Sequence, residues 1–529
     1  MAILSLLFQG EVWREALPWV ASAIVACFTI VLARGERPHY GFPLIGMEYS
    51  RFGRMDYEKA LARFLGGLTK IYQTGLREVQ GKGFQILTNT GFKIILPPSY
   101  IDELRNQPNL SLTGFLENDF FASIPGFGAF GAAAGGEVIQ ETVRVKLTGS
   151  LAHVTNDLSD EMSYFTNEYM QPGTDWENIS FYDISMRAVA QLSARAFLGK
   201  MLCRDKQWLD LSVMFTIHAS QAARALRSWP RFTRRFIHWF LPETRTLRND
   251  VAAARRKIQP ELSQRNKDRV RYSADGKEAP KLMDTLQWME DAAKGRSFDF
   301  VHGQLGLTFA AVHTTSHLLQ NTLYDLCTHP EYIDLLRKEI IDVFGSEDEE
   351  WKKTSLYSLK MMDSVLKESQ RVNMVTLSAI SRRVEETTTL SDGTVLPKNA
   401  MITVPTRERM LDEGIWPGGD KWIGRRFYDL RAQPGQESKW QFVSTSSDHY
   451  GFGHGKHACP GRFFASNEAK VILVHVLMKY DWKFLPGQER PKSSTRGSEN
   501  LVDPKAILMY KSRKSEIQFP GEKISPSVG

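Results

Sequence analysis

The chain has 529 residues and a mass of 60.2 kDa, 42% apolar and 24% charged, the balance of a globular protein with material for one large domain or a few ordinary ones. Its 67 basic and 60 acidic residues leave a net charge of +7 spread along the chain without a basic tail or arginine-rich block, which gives no nucleic-acid footprint and suits an acidic membrane surface or acidic partner. The four cysteines, Cys27, Cys203, Cys327 and Cys459, form no CxxC pair, so the pattern indicates neither a disulfide framework nor a structural zinc site, and a cytosol-facing environment follows.

Residues 16–33 form an uncharged, largely apolar run of 18. As a helix the run would span roughly 27 Å, close to the hydrocarbon thickness of a bilayer. Pro18 stands where a missing N–H matters little, Trp19 suits the interface, and Arg34 and Arg37 follow as a positive flank. The expectation is a single-pass anchor in the endoplasmic reticulum with the bulk of the chain cytosolic. A cleaved signal peptide fits less well, because Arg14 against Glu11 and Glu15 leaves no basic segment ahead of the apolar run. Residues 1–35 are thus read as anchor and hinge start, and residues 36–529 as one catalytic unit.

Further along, strands are expected over 84–88 and 93–96. The aromatic and glycine-rich stretch 115–136, with Phe120, Phe121, Phe127 and Phe130, suits the roof of a pocket for a bulky apolar ligand. Between 231 and 245, Phe232, Phe236, Trp239 and Phe240 interleave with Arg231, Arg234, Arg235 and Arg245, which fits a segment lying on a bilayer or a core helix with a basic outer face. The polar stretch 266–281 reads as a long loop. Residues 298–329 contain no proline and read as one long helix. Pro330 opens an amphipathic helix with Ile333, Leu336, Ile340, Ile341 and Phe344 on one side. Strands at 387–390 and 401–404 follow, with a hairpin signal at Asp392-Gly393. The sum is a mainly α (α+β) domain with small sheets.

The richest stretch is 452–461, F-G-H-G-K-H-A-C-P-G. Its glycines permit close backbone approach, and the helical character after Arg462 places Cys459 at a helix N-terminus, where N–H groups and the dipole favour a thiolate. A thiolate beside a glycine-lined flat surface suits haem ligation; a buried structural cysteine in a glycine loop is the plainer alternative. Phe452, Gly455, His457, Cys459 and Gly461 fill the fixed places of the haem-binding signature of the cytochromes P-450, and the chain resembles that family. The resemblance implies a P-450-like fold, haem with Cys459 as the axial ligand to iron, and His457 at a haem propionate.

The same resemblance gives roles to further residues. Glu368 and Arg371 in K-E-S-Q-R lie three apart on one helix face, and with Arg426 they match the family's structural ExxR lock. Met374 stands where the family often has proline. The segment A-A-V-H-T-T resembles the family's oxygen-activation segment, with Thr314 at the hydroxyl position, Ala311 for the usual glycine and His313 for the usual acid. His313 is then either a proton relay or a packed core histidine. Arg144 falls where a propionate-binding arginine is common, without the usual tryptophan at Gln140; Arg382 is a second such candidate, with Arg383 its alternative.

These matches imply a monooxygenase that takes dioxygen, electrons from a membrane-bound NADPH–cytochrome P-450 reductase and a small apolar substrate. The runs A-A-V-H-T-T-S and S-A-I-S-R-R look like fungal secondary-metabolism oxidases, including those of ent-kaurene and indole-diterpenes, so hydroxylation of a terpenoid or indole-diterpene intermediate is expected. Oxidative radical coupling of phenols or indoles on the same haem is the alternative within the enzyme class. A non-catalytic haem-binding or sensing protein is the alternative outside it, disfavoured by Thr314 and the Phe-rich segment.

Overall fold

The computed structural model describes residues 37–49, 55–200, 202–345, 351 and 353–519, together with residues 18, 19 and 22 of the N-terminal segment. The expected anchor at 16–33 otherwise lies outside the described residues. Among the described residues no helix is long and apolar enough to cross a membrane.

Helices of eight or more residues are α1 (Tyr57–Glu78), α2 (Leu112–Phe120), α3 (Gly128–Gly135), α4 (Leu151–Tyr169), α5 (Phe181–Leu198), α6 (Lys206–Arg227), α7 (Pro242–Ala274), α8 (Thr285–Ala293), α9 (Phe300–Thr328), α10 (Glu331–Phe344), α11 (Lys360–Val372) and α12 (Arg462–Lys479). Their starts follow local chemistry. Asp56, Ser111, Ser180, Asp205, Asp284 and Asp299 each cap a helix by accepting from an N–H of its first turn, and Pro242 opens α7 where no N–H is needed. The expected long helix is α9, and α10 buries Ile333, Leu336, Ile340 and Phe344, with Ile341 at the edge of that face.

The stretch read as a loop over 266–281 is in part helix: α7 continues to Ala274. Its polar sequence hides the reason, which is tertiary. Arg265 forks onto Asp284 at 2.9 and 2.7 Å, Arg269 reaches Glu290 at 2.7 Å, and both carboxylates belong to the α8 region.

Strands are short. Phe84–Thr88 (β1), Gly91–Ile95 (β2), Leu110–Ser111 (β3), Ser378–Val384 (β4) and Met401–Pro405 (β5) make a sheet in the order β1-β2-β5-β4-β3, parallel only between β2 and β5. Thr388–Thr389 and Val395–Leu396 close the expected hairpin through Gly393, whose φ of 85° explains the glycine. The expected strands at 93–96 and 387–390 are shifted or trimmed by one or two residues.

α9 is buried along most of its length between α3, α5, α6, α7, α11 and α12. The main apolar core surrounds it, and a second core lies under the five-stranded sheet. The segment around Phe232 is not a core helix: none of Arg234–Ile237 is buried, and Phe236, Trp239 and Phe240 are exposed.

Candidate active site

Cys459 sits in a loop closed by its own N–H, which donates to the Phe452 carbonyl at 2.8 Å. Gly455, with a φ of 79°, can carry no side chain, because a Cβ there would lie 2.6 Å from Arg105 Cβ and 2.9 Å from the Arg105 carbonyl. Arg462 opens α12 three residues after the cysteine, and the N–H groups of Gly461 and Arg462 donate to the sulfur. Burial raises the Cys459 thiol, while these N–H groups and the Arg462 charge oppose the rise. Cys203 and Cys327 lack such donors, and burial pushes both up to about 12. Of the described cysteines, Cys459 alone has backbone N–H groups directed at its sulfur.

The surroundings fit a flat dianionic macrocycle. Beside Gly461 a Cβ would meet only Val143, at 3.6 Å, so one face of the loop is left open. Arg382 is buried on β4, where burial alternates so that Arg382 points inward and Arg383 outward to Glu385 and Glu117. The Arg382 guanidinium has no carboxylate partner among the described residues, its hydrogen bond being to the Ser381 carbonyl at 2.8 Å, and burial lowers it to about 10. His457 is close enough for burial, Arg382 and Lys456 together to lower its imidazole to about 4. A buried cation and a neutral histidine in one field call for acidic groups that the protein does not supply, and haem propionates would supply them. Arg144 is exposed on the π-helical turn Thr142–Leu147, one residue from Val143. It stands near the cysteine loop without a hydrogen bond of its own among the described residues.

Across α9, Ala310 and Thr314 are exposed although the helix is otherwise largely buried, as residues bordering an internal space are. Thr314 Oγ1 donates to the Ala310 carbonyl at 2.6 Å. His313 faces away, its Nε2 3.4 Å from the Val213 carbonyl on α6, and burial lowers its ring to about 4. A neutral, interhelical histidine matches the packing role.

The ExxR lock is complete. Glu368 and Arg371 are fully buried and joined by two bonds of 2.8 Å, and Arg426 Nε reaches both Glu368 oxygens at 3.1 and 3.2 Å. Arg371 also donates to the carbonyls of Met410, Gly419 and Lys421, and Arg426 to those of Pro417 and Gly418. Every charge in the triad is hydrogen-bonded, the condition under which buried charges are tolerated. The meander 410–426 is thereby pinned to α11.

Sequence reasoning missed three residues. Asn106 accepts from the Lys456 N–H at 2.8 Å, and Arg105 Nη1 lies 2.6 Å from His454 Nε2, so both hold the cysteine loop from 350 positions away. Glu468 on α12 is fully buried; Ser193 donates to its Oε1 at 2.7 Å, and its Oε2 has no partner. Burial pushes its carboxyl up to about 8, only partly offset by Ser193 and Thr315, so it is protonated at neutral pH. No motif flagged it, because only the fold brings Ser193 and Thr315 beside it.

Comparison with known proteins places the geometry. The family model for cytochrome P-450 matches residues 151–510. The chain is 36% identical over 507 residues to cytochrome P-450 monooxygenase ptmU of Penicillium ochrochloron, covering 96% of this chain and 98% of that one. It is 40% identical over 465 residues to monooxygenase adrA of Penicillium rubens, covering 87% and 90%, and 36% identical over 503 residues to monooxygenase pyr3 of Aspergillus fumigatus, covering 95% and 96%. A family model over most of the chain and relatives of 36–40% identity along nearly its whole length agree, and the chain belongs to the cytochrome P-450 family of haem-thiolate monooxygenases.

Proposed function

We propose that this enzyme hydroxylates a bulky apolar secondary metabolite, a terpenoid or indole-diterpene intermediate. It takes electrons from NADPH–cytochrome P-450 reductase at the cytosolic face of the endoplasmic reticulum. The observation that carries the reading is a cavity of about 530 Å³ walled by Phe64, Ile95, Phe115, Phe120, Phe130 and Ile380 and reaching Arg382. Phe120 and Phe130 come from the expected aromatic roof and stack with centroids 5.2 Å apart; Phe121 and Phe127 are buried in the core behind them. Such a space suits a rigid polycyclic skeleton, whose burial is driven by apolar area.

Haem bound at Cys459 supplies the activation of dioxygen, with the thiolate favouring cleavage of the O–O bond. The chain's own residues do the rest. Arg382 and His457 orient the cofactor's acidic edge, the Phe walls exclude water from the apolar substrate, and Thr314 offers a hydroxyl that can turn from the Ala310 carbonyl to hold a proton-donating water. Residues 16–33 anchor the chain, and the exposed Phe236, Trp239 and Phe240 rest on the bilayer beside it.

The test is turnover of the full-length enzyme with reductase, NADPH and candidate terpenoids under ¹⁸O₂. One labelled oxygen atom in the product is expected. Unlabelled dimeric product would instead establish radical coupling, and haem reduction without product would establish a sensing role.

A further inference from the structure

The apolar cavity has one polar wall. Lys93, Asp119, Arg224, Arg227, Arg496 and Glu499 all line it, four cations against two anions, apart from Arg382 at the haem edge. Arg496 and Glu499 lie on an exposed two-stranded ribbon (Ser494–Arg496 and Glu499–Leu501), where water screens them. Lys93 is committed to the Asp119 carboxylate, which also takes Thr90 Oγ1 at 3.1 Å and Asn118 Nδ2 at 3.0 Å. The carboxylate nearest Arg227 is therefore already occupied.

Arg224 and Arg227 remain, one turn apart on α6, and Arg227 is the one flanked by the aromatic rings. It stands in the last turn of α6, where the helix dipole favours a cation. Its guanidinium has a single hydrogen-bond acceptor among the described residues, the Asp119 backbone carbonyl, at 2.6 Å from Nη2. Its Nε is buried without any acceptor. Phe120 and Phe121 flank it, centroids 5.9 and 6.0 Å away, and keep water from the neighbouring space. Burial and the nearby Arg224 disfavour its charge more than Asp119 and Glu499 support it. A planar guanidinium fork held beside two aromatic rings with most donors unspent is a receptor for a planar anion.

We infer that Arg227 is the specificity-determining residue for a carboxylate on the substrate, so that the ligand is an apolar polycycle bearing one acidic group rather than a hydrocarbon. The inference rests on the bulky-apolar reading of this cavity and adds the charged handle. The planar fork of Arg227 matches the planar carboxylate group in shape, as it would not match a tetrahedral phosphate. The carboxylate pairs with Arg227 while the rings lie along Phe115, Phe120 and Phe130, fixing which end of the skeleton faces the haem.

The test is spectral titration of the haem-loaded, full-length enzyme with abietic acid and with methyl abietate, which share a tricyclic skeleton and differ by the charge. The acid is expected to bind about 10- to 100-fold more tightly, the range of one charge-assisted contact. Arg227→Gln should erase that preference while leaving the ester within about twofold, and Arg227→Lys should retain part of it. Equal affinity for acid and ester in the wild type, or equal weakening of both in Arg227→Gln, would overturn the carboxylate assignment and leave the apolar reading standing. A Soret band unmoved by either compound would overturn both.

Discussion

At Cys459 the decisive factor is what surrounds sulfur. The cysteine loop supplies two N–H donors and an arginine, whereas Cys203 and Cys327 sit in surroundings that hold the proton up to about 12. Cys459→Ala should therefore abolish the red-shifted absorption of the reduced carbon monoxide complex, and Cys203→Ala should keep it. Thr314→Ala should leave haem and substrate spectra intact and raise the peroxide released per NADPH, because the exposed hydroxyl that holds proton-donating water is gone. In contrast, His313→Gln should leave the pH dependence of coupling unchanged, since the ring is already neutral and bonded toward Val213. Glu468 gives a pH signature of its own. Its carboxyl holds a proton up to about 8 in the folded protein against an ordinary value of 4.5. The associated stability is full below pH 4.5 and is lost as pH rises to about 8, up to about 5 kcal/mol at about 1.4 kcal/mol per unit. Glu468→Gln, neutral at every pH, should flatten that part of the stability–pH curve measured by denaturant titration; an unchanged slope would show that the carboxyl is ionised in the fold.

Among the elements, the meander and α11 show how much one short motif specifies. Glu368 and Arg371 were legible because three residues on a helix share a face, and Arg426 because it lies between that helix and the cysteine. Their five backbone carbonyl acceptors were not legible, since carbonyls carry no sequence signal. Arg371→Ala would leave Glu368 and Arg426 buried with their partner removed, a loss of about 3–5 kcal/mol. The expected outcome is a chain that fails to retain haem, read as absent Soret absorbance in the detergent-extracted full-length protein. α7 teaches the opposite lesson. Its polar residues 266–274 lack an apolar face and read as loop, and the ion pairs of Arg265 and Arg269 with α8 tie the helix down there. Tertiary charge pairing of this kind is invisible to periodicity.

For the whole molecule, the sequence reading of a helix-rich α+β unit with small sheets matches the architecture because α9 and α10 have long, uninterrupted patterns. The cavity was legible only in part. Phe120 and Phe130 were expected, but Phe64 on α1, Ile95 on β2 and Arg227 on α6 reach it through folding alone. On the proposed reading, attachment to a membrane divides between two segments. Removal of residues 1–34 should release the protein from the integral-membrane fraction while haem binding persists, and residual binding to anionic vesicles should fall on substitution of Phe236 and Trp239 by serine. Release of the full-length chain by carbonate would contradict a spanning anchor.

The unpaired Arg382 has a consequence for the life of the protein in the cell. Its guanidinium is buried against a backbone carbonyl, with no carboxylate among the described residues to balance it. The propionates of haem would complete that charge balance, so each chain that captures haem would gain stability that grows with the logarithm of haem concentration over its dissociation constant. Chains made while haem is scarce carry the imbalance and open more often to proteases. Enzyme abundance would then follow haem supply without any regulatory protein, and Arg382→Met should weaken that dependence in pulse-chase half-lives.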